Sequence, residues 1–128
     1  MKGETIQCIF YPTRKDDWVV LKTNGGSYTL RLGGYRKETD FIQIFEFDEI
    51  PFPFKGRTVK EVYSDDFWVY IVLDNGGVVS SGEVDISTSG ETRLGVQFER
   101  ITDFDNGFFD SDSLFKLVTD ETGWSVKH

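Results

Sequence analysis

The chain has 128 residues, which is enough for one domain and too few for two substantial cores. It has no alanine, the best helix former, whereas 16% of its residues are aromatic; this composition argues against a helix bundle and favours strands. The net charge of −8 makes a nucleic acid a poor partner, because binding to phosphates depends on lysine and arginine. No segment reaches the length of an apolar transmembrane helix. We therefore expect a soluble all-β protein with no nucleic-acid or membrane partner.

Four short motifs occur twice in the same order along the chain, which indicates an internal duplication. The offsets between the two copies lie between 49 and 53 residues. The sequence therefore predicts a single domain, 1–128, built from tandem repeats 3–55 and 56–106 with a pseudo-twofold relation and a C-terminal extension, 107–128. The matched segments are 3–10 with 56–63, 16–18 with 65–68, 24–26 with 75–77, and 45–50 with 96–101.

Each repeat is predicted to form four antiparallel strands that pack as a sandwich or a barrel. Asn24-Gly25 and Asn75-Gly76 follow the second strands and predict type I′ hairpin turns, which need positive φ at both central residues. A three-residue aliphatic spacing in the first strands indicates a bulge, and 67–73 has the apolar character of a strand covered on both faces. The predicted strands are 5–11, 18–23, 27–32 and 41–48, then 58–64, 67–73, 77–85 and 93–100, with Phe47, Trp68, Tyr70, Val72 and Phe98 in the core.

The C-terminal extension has two alternative interpretations. Its apolar segments at 114–119 and 124–127 flank a turn-forming sequence and predict one further hairpin. The alternative is a short helix near 111–118, because Ser111 or Ser113 could serve as its N-cap.

Catalytic and cofactor motifs are missing from the sequence, so we expect a protein that is not an enzyme and binds no cofactor. The only histidine is His128 and the only cysteine is Cys8, so neither a Ser-His-Asp nor a Cys-His set can be built. Cys8 is expected to be a small buried hydrophobic residue. The acidic segment around Gly107 does not match an EF-hand, so no metal is predicted. Calcium in an irregular geometry remains an alternative for Asp103, Asp105, Asp110 and Asp112.

Charge is distributed unevenly and points to the C-terminal part as a binding surface. Residues 1–37 carry seven bases and three acids, a balance of +4, whereas residues 38–128 carry seven bases and nineteen acids, a balance of −12. Acids alternate with phenylalanines near 103–112, and this mixture suits an interface, which draws affinity from aromatic anchors and association rate from charge. The predicted partner-binding residues are Asp103, Phe104, Asp105, Phe108, Phe109, Asp110, Asp112, Asp120 and Glu121.

In size, acidity and lack of catalytic motifs, the chain resembles the small bacterial immunity proteins that block nuclease toxins, as well as acidic phage-encoded inhibitors. The resemblance implies a cytoplasmic inhibitor that docks on a basic protein partner, such as a toxin or nuclease, and occludes its substrate site. The absence of a signal-like apolar segment at the N-terminus also favours the cytoplasm. Two alternatives are a β-barrel or sandwich that binds a small apolar or carbohydrate ligand, and a structural subunit of a larger assembly. An acidic surface that serves only solubility is the competing explanation of the charge.

Overall fold

A computed structural model describes residues 1–12, 19–38, 47–85 and 92–128. Strands dominate this part of the chain, and its helical turns are three residues long, which confirms the all-β prediction. The strands are β1 Ile6–Pro12, β2 Val19–Thr23, β3 Gly26–Arg31, β4 Gly34–Glu38, β5 Phe47–Glu49, β6 Val59–Ser64, β7 Val69–Leu73, β8 Gly77–Asp85, β9 Thr92–Arg100, β10 Phe115–Thr119 and β11 Ser125–Lys127.

The strands form two antiparallel sheets that enclose one hydrophobic core. The first sheet has the order β4-β3-β2-β1-β5 and the second has the order β11-β10-β6-β7-β8-β9. Side chains alternate between the two faces of a strand, so each sheet sends every second residue inward. The two sheets supply the same core, which is the arrangement of a sandwich. Its members include Ile6, Ile9, Leu21, Tyr28, Leu30 and Tyr35 from the first sheet, and Val59, Val62, Ile71, Leu73, Val79 and Leu117 from the second.

Strand β7 is buried along its whole length, as its continuous apolar sequence predicts. Val69, Ile71 and Leu73 point into the shared core, whereas Tyr70 and Val72 point to the outer face of the second sheet. A strand with two apolar faces needs a cover on each side. The outer face of the second sheet is therefore where the rest of the chain has to pack.

A pseudo-twofold relation is visible where the two sheets meet at Thr5 and Thr58, which form an antiparallel bridge. The backbone N–H of Gly3 donates to Val59, and 53 residues later that of Gly56 donates to Ile6. Likewise, the Val59 N–H donates to the Glu4 carbonyl, and the Ile6 N–H donates to the Arg57 carbonyl. Matched bulges follow, because the register shifts between Ile6 and Cys8 and again between Val59 and Glu61. The bulge prediction is confirmed in both copies.

The fourth strand of the first repeat is not where the sequence predicts it. Most of the predicted strand 41–48 lies outside the described residues, and its last part belongs to β5, which pairs with β1. The strand beside β3 is β4, reached through a tight turn at Leu32-Gly33, where Gly33 has φ 70°. In the second sheet the predicted strand 93–100 is present as β9 and lies beside β8, and β10 lies beside β6 as β5 lies beside β1.

The two Asn-Gly turns differ from each other. Gly76 has φ 80°, and its N–H donates to the Leu73 carbonyl, so only the residue after Asn75 is left-handed. Gly25 lies outside the left-handed region, and Gly26 takes φ 148° instead. The type I′ prediction is therefore wrong at both turns, although both connect hairpin strands. Asn-Gly marks the turn, and the neighbouring second glycine lets the chain place the positive φ elsewhere.

The C-terminal extension ends in the predicted hairpin, β10 and β11, and the helix near 111–118 is wrong. Phe115 and Leu117 pack on the shared core, and a strand that alternates inward and outward residues places them on one face. This hairpin also ties the sheets together at β4: the Lys37 N–H donates to Gly123 at 2.7 Å, and the Tyr35 N–H donates to Ser125 Oγ at 2.9 Å.

The predicted core members have different outcomes. Tyr70 and Val72 are buried as predicted. Trp68 and Phe98 are only half-buried. Trp68 lines an open cleft, and Phe98 lies on β9, the edge strand of the second sheet. The side chain of Phe47 lies outside the described part of the chain.

Candidate functional site

Residues 101–114, here called the covering segment, cross the outer face of the second sheet. Two short 3-10 turns, Ile101–Asp103 and Phe108–Asp110, shape it. The N–H of Phe108 donates to Asp105, and the N–H of Leu114 donates to Ser111. These local hydrogen bonds hold the segment in a fixed path without a helix or strand.

Three phenylalanines anchor the covering segment to the sheet through the ring of Tyr70. The ring centroids of Phe104, Phe108 and Phe109 lie 5.8, 5.3 and 6.0 Å from that of Tyr70, all with edge-to-face geometry. The three rings also contact one another at 4.9–5.0 Å, and Phe109 contacts Tyr63 at 5.1 Å. Edge-to-face pairs of this kind add to the free energy gained from burial. Each phenylalanine is half-buried, so its contribution to a partner surface is limited to what remains exposed.

The acids of the covering segment point the other way, into solvent. Asp103 accepts a hydrogen bond from the Arg100 N–H at 2.7 Å, which fixes the first 3-10 turn. Asp105, Asp110 and Asp112 are exposed, and within the described residues none of them forms an ion pair. The described part of the chain also holds no group of three or more acids, histidines or cysteines that could bind a metal. The irregular calcium site is therefore not assembled there.

The predicted partner-binding residues fall into two separate elements. Seven lie on the covering segment, whereas Asp120 and Glu121 lie in the turn between β10 and β11, beside β4. Asp120 accepts hydrogen bonds from the Thr122 hydroxyl and from the N–H groups of Thr122 and Trp124. These hydrogen bonds lower the pKa of Asp120, and the bond from the Thr122 hydroxyl has the largest effect. Its carboxylate thus builds the hairpin turn.

A cleft of about 190 Å³ opens beside the covering segment. Trp68, Tyr70, Phe104 and Phe108 supply aromatic walls, and Glu99 is the one charged side chain among the described residues that line it. The Glu99 carboxylate accepts a hydrogen bond from the Ser80 hydroxyl, which fixes its position. Gln97 completes the lining on the solvent side. The cleft therefore combines apolar rings with a single oriented negative charge.

Two neighbours hold the Trp68 wall in place. The backbone N–H of Trp68 donates to Asp65 Oδ1 at 2.7 Å, and the indole ring lies against Gly82, where any Cβ would collide with it. Burial, followed by the negative charges of Asp65 and Glu99, raises the pKa of Tyr70 to about 12. The phenol is therefore neutral at pH 7 and lies in a region of negative potential.

One surface cluster has the opposite charge and is not predicted from the sequence. Trp124, 43% exposed, lies close to the guanidinium groups of both Arg31 and Arg36, whose Cζ atoms are 5.4 and 5.2 Å from its ring centroid. Cations over a tryptophan face are attracted by its quadrupole. The basic excess of residues 1–37 was the available signal, but only the pairing of β4 with the C-terminal hairpin brings these residues together.

Cys8 is half-buried rather than fully buried. Burial, together with the charge of Glu49, raises the pKa of its thiol, so the group is a poor nucleophile at pH 7. In the part of the chain that the structure describes, the helical turns are all far too short to cross a membrane.

Comparisons with protein-family models, with curated proteins and with solved structures find nothing that matches this chain. The interpretation of the surface therefore depends on its geometry and charge.

Proposed function

We propose that the protein is a non-enzymatic binding module that docks on a basic protein partner through the covering segment. The main support is that the two residue types of this segment face opposite ways. Its phenylalanines pack on the sheet, while Asp105, Asp110 and Asp112 are exposed and form no ion pair within the described residues. A fixed array of like charges steers a basic partner and raises its association rate.

Preorganisation supports docking over a purely solubilising role. A mobile acidic loop would lose conformational freedom on binding, which weakens affinity. The aromatic contacts and local hydrogen bonds of the covering segment remove most of that cost before a partner arrives. The favoured partner is a basic enzyme such as a nuclease toxin, whose substrate site attracts polyanions and would equally attract this surface. The protein would then act as a small acidic inhibitor or immunity-type protein in the bacterial cytoplasm.

The experiment compares two charge-reversed variants of equal net charge. The test variant carries Asp105→Lys, Asp110→Lys and Asp112→Lys, and it leaves Asp103 to hold its turn. The control carries Glu49→Lys, Asp66→Lys and Asp74→Lys at exposed positions outside the covering segment. Partners captured by the immobilised wild-type protein are identified, and their association rates are measured at low and high salt.

The expected result is an association rate that falls by roughly tenfold in the test variant and stays near the wild-type value in the control. The wild-type rate should also fall as salt rises. Equal rates for the two folded variants would exclude the covering segment as the docking surface. Failure to capture any protein would favour the alternatives, a small apolar or carbohydrate ligand or a role as a structural subunit.

A further inference from the structure

We infer that the cleft beside the covering segment binds an alkylammonium group, which its aromatic walls surround and its Glu99 carboxylate neutralises. This chemistry occurs both in free quaternary ammonium compounds and in the lysine side chains of proteins. The link to a protein partner rests on the proposed function, whereas binding of the cation itself does not.

The aromatic walls of the cleft favour a cation. The electron-rich face of an aromatic ring attracts a cation, and tryptophan does so most strongly. Trp68, Tyr70, Phe104 and Phe108 lie around one cleft, and they come from β7, the residue before it and the covering segment. The cleft volume of about 190 Å³ is several times the roughly 30 Å³ of a water molecule in the liquid, so a small organic group fits.

The electrostatics of the cleft select a cation over a neutral group. Glu99 is the one charged group in the described lining, and no lysine or arginine of that lining competes for it. The hydrogen bond from the Ser80 hydroxyl, on the neighbouring strand β8, holds the Glu99 carboxylate in place. Burial is the largest cause of the raised pKa of Tyr70, and the negative charges of Asp65 and Glu99 add to it, which places two carboxylates near this ring. An apolar ligand would gain from the rings alone, whereas an alkylammonium group gains from both features.

The glycine under Trp68 indicates that the aromatic wall is built into the fold. At Gly82 an added Cβ would overlap the indole ring atoms, so only glycine lets the ring lie flat on the sheet. Its cross-strand partner is Gly95, which leaves the neighbouring position without a side chain as well. The sheet thus leaves space for one large ring at the cleft wall.

The test titrates the full chain with choline and with its neutral carbon isostere, 3,3-dimethyl-1-butanol, at constant ionic strength. The readout is the NMR signal of the Trp68 indole N–H, assigned with a Trp68→Phe variant. N-acetyl-lysine methylamide forms the third arm and distinguishes a protein side chain from a free quaternary ammonium compound. We expect the better of the two cations to bind roughly tenfold more tightly than the isostere.

Two variants separate charge from ring chemistry. Glu99→Gln keeps the shape and the Ser80 contact but removes the charge, with Asp74→Asn as a control that removes one charge outside the cleft. Phe104→Leu keeps apolar bulk and removes one ring. Both cleft variants should weaken cation binding several-fold, and the control should not. Isostere binding within twofold of the cations, no saturable shift with either cation, or unchanged affinity in Glu99→Gln would overturn the inference. Neither Glu99→Gln nor Phe104→Leu changes a residue of the charge-reversed test variant, so each proposal can fail alone.

Discussion

Glu4 lies at the centre of a polar network between the N-terminal segment and the first sheet. Tyr28 Oη donates to its carboxylate at 2.7 Å, Thr23 Oγ1 donates to the same group, and the N-terminal ammonium lies 3.2 Å away. Burial acts to raise the pKa of Glu4, but the hydrogen bonds from Thr23 and Tyr28, with the ammonium charge, lower it overall. The same contact, after burial itself, raises the pKa of Tyr28.

This network predicts a specific pH dependence of stability. Because the folded-state pKa of Glu4 lies below its ordinary value of 4.5, the ionised group stabilises the fold above that pH, and the stabilisation is lost as pH falls through the folded-state pKa. Glu4→Gln should therefore lower the free energy of unfolding at pH 7 by about 1–2 kcal/mol, because the hydrogen bonds to the charged group are lost. Urea denaturation measures the difference. The difference in unfolding free energy from wild type should narrow as the pH falls below the ordinary value of 4.5 and through the lower folded-state pKa of Glu4. The exposed Glu121→Gln serves as control, and a difference that stays constant with pH would contradict the assignment.

Gly76 offers a second prediction for a single residue. Its φ of 80° strains any side chain with a Cβ, while the nearest atom to such a Cβ, Cγ2 of Ile101, is at an ordinary 3.5 Å. Gly76→Val should therefore destabilise the protein by about 1–3 kcal/mol through backbone strain alone. Gly76→Asn should cost much less, because asparagine tolerates the left-handed region. Equal urea midpoints for the two variants would show that the strain is absent.

The turn residues show what the local sequence can and cannot predict. Asn24-Gly25 and Asn75-Gly76 correctly mark where strands reverse, but each is followed by a further glycine. With two adjacent glycines the chain can place positive φ at either one at little cost. Choosing between them depends on contacts outside the turn, such as the Glu4 carboxylate packed against Gly25, and the dipeptide alone does not contain that information.

Among the elements, the covering segment should be held by its phenylalanines. Phe108 packs on Tyr70, Phe104 and Phe109. Phe108→Ala should lower the free energy of unfolding by roughly 1–3 kcal/mol. This is less than the roughly 3–5 kcal/mol for a fully buried ring, because the side chain is only half-buried. The substitution should also speed hydrogen exchange at the amides of Asp110 and Leu114. Phe67→Ala, at a ring 61% exposed, is the matched control and should change stability by less than about 0.5 kcal/mol.

Strand β4 shows why one element was not predicted. Its sequence, Gly34 to Glu38, is mostly glycine and charge, and it lacks the apolar alternation of a half-buried strand. Its single inward anchor is Tyr35, whose hydroxyl hydrogen-bonds to Thr119 Oγ1 at 2.8 Å. The strand exists because β3 pairs with it on one side and the C-terminal hairpin contacts it on the other. Partners about 90 residues away leave no local signal.

The candidate site is likewise only partly predictable from the sequence. The alternation of acids and phenylalanines in 103–112 was visible in the sequence, and the structure places those residues together on one segment. The cleft was not visible, because its walls combine residues next to and within β7, β8 and β9 with the covering segment. Trp68 and Glu99 are 31 residues apart, and only strand order makes them neighbours.

At the scale of the whole molecule, the shared core predicts that the two repeats fold together. Each sheet supplies one wall of the core, so a single repeat would leave its inner face exposed. Fragments 1–55 and 56–128 should each lack a cooperative urea transition, and mixing them should restore one, with circular dichroism and tryptophan fluorescence in agreement. A cooperative transition in either fragment alone as a monomer would contradict this.

The reciprocal hydrogen bonds around Thr5 and Thr58 have a consequence for the origin of the fold. In a homodimer with twofold symmetry, every contact from residue i of one subunit to residue j of the other is repeated from j to i. The bonds Gly3 to Val59 and Gly56 to Ile6, with Val59 to Glu4 and Ile6 to Arg57, obey this rule within one chain. The bonds Val59 to Glu4 and Ile6 to Arg57 follow from any antiparallel bridge, whereas Gly3 to Val59 and Gly56 to Ile6 continue the reciprocity beyond it. A fused isologous dimer would have this symmetry, and the proline-containing segment between the repeats would then correspond to the joining peptide.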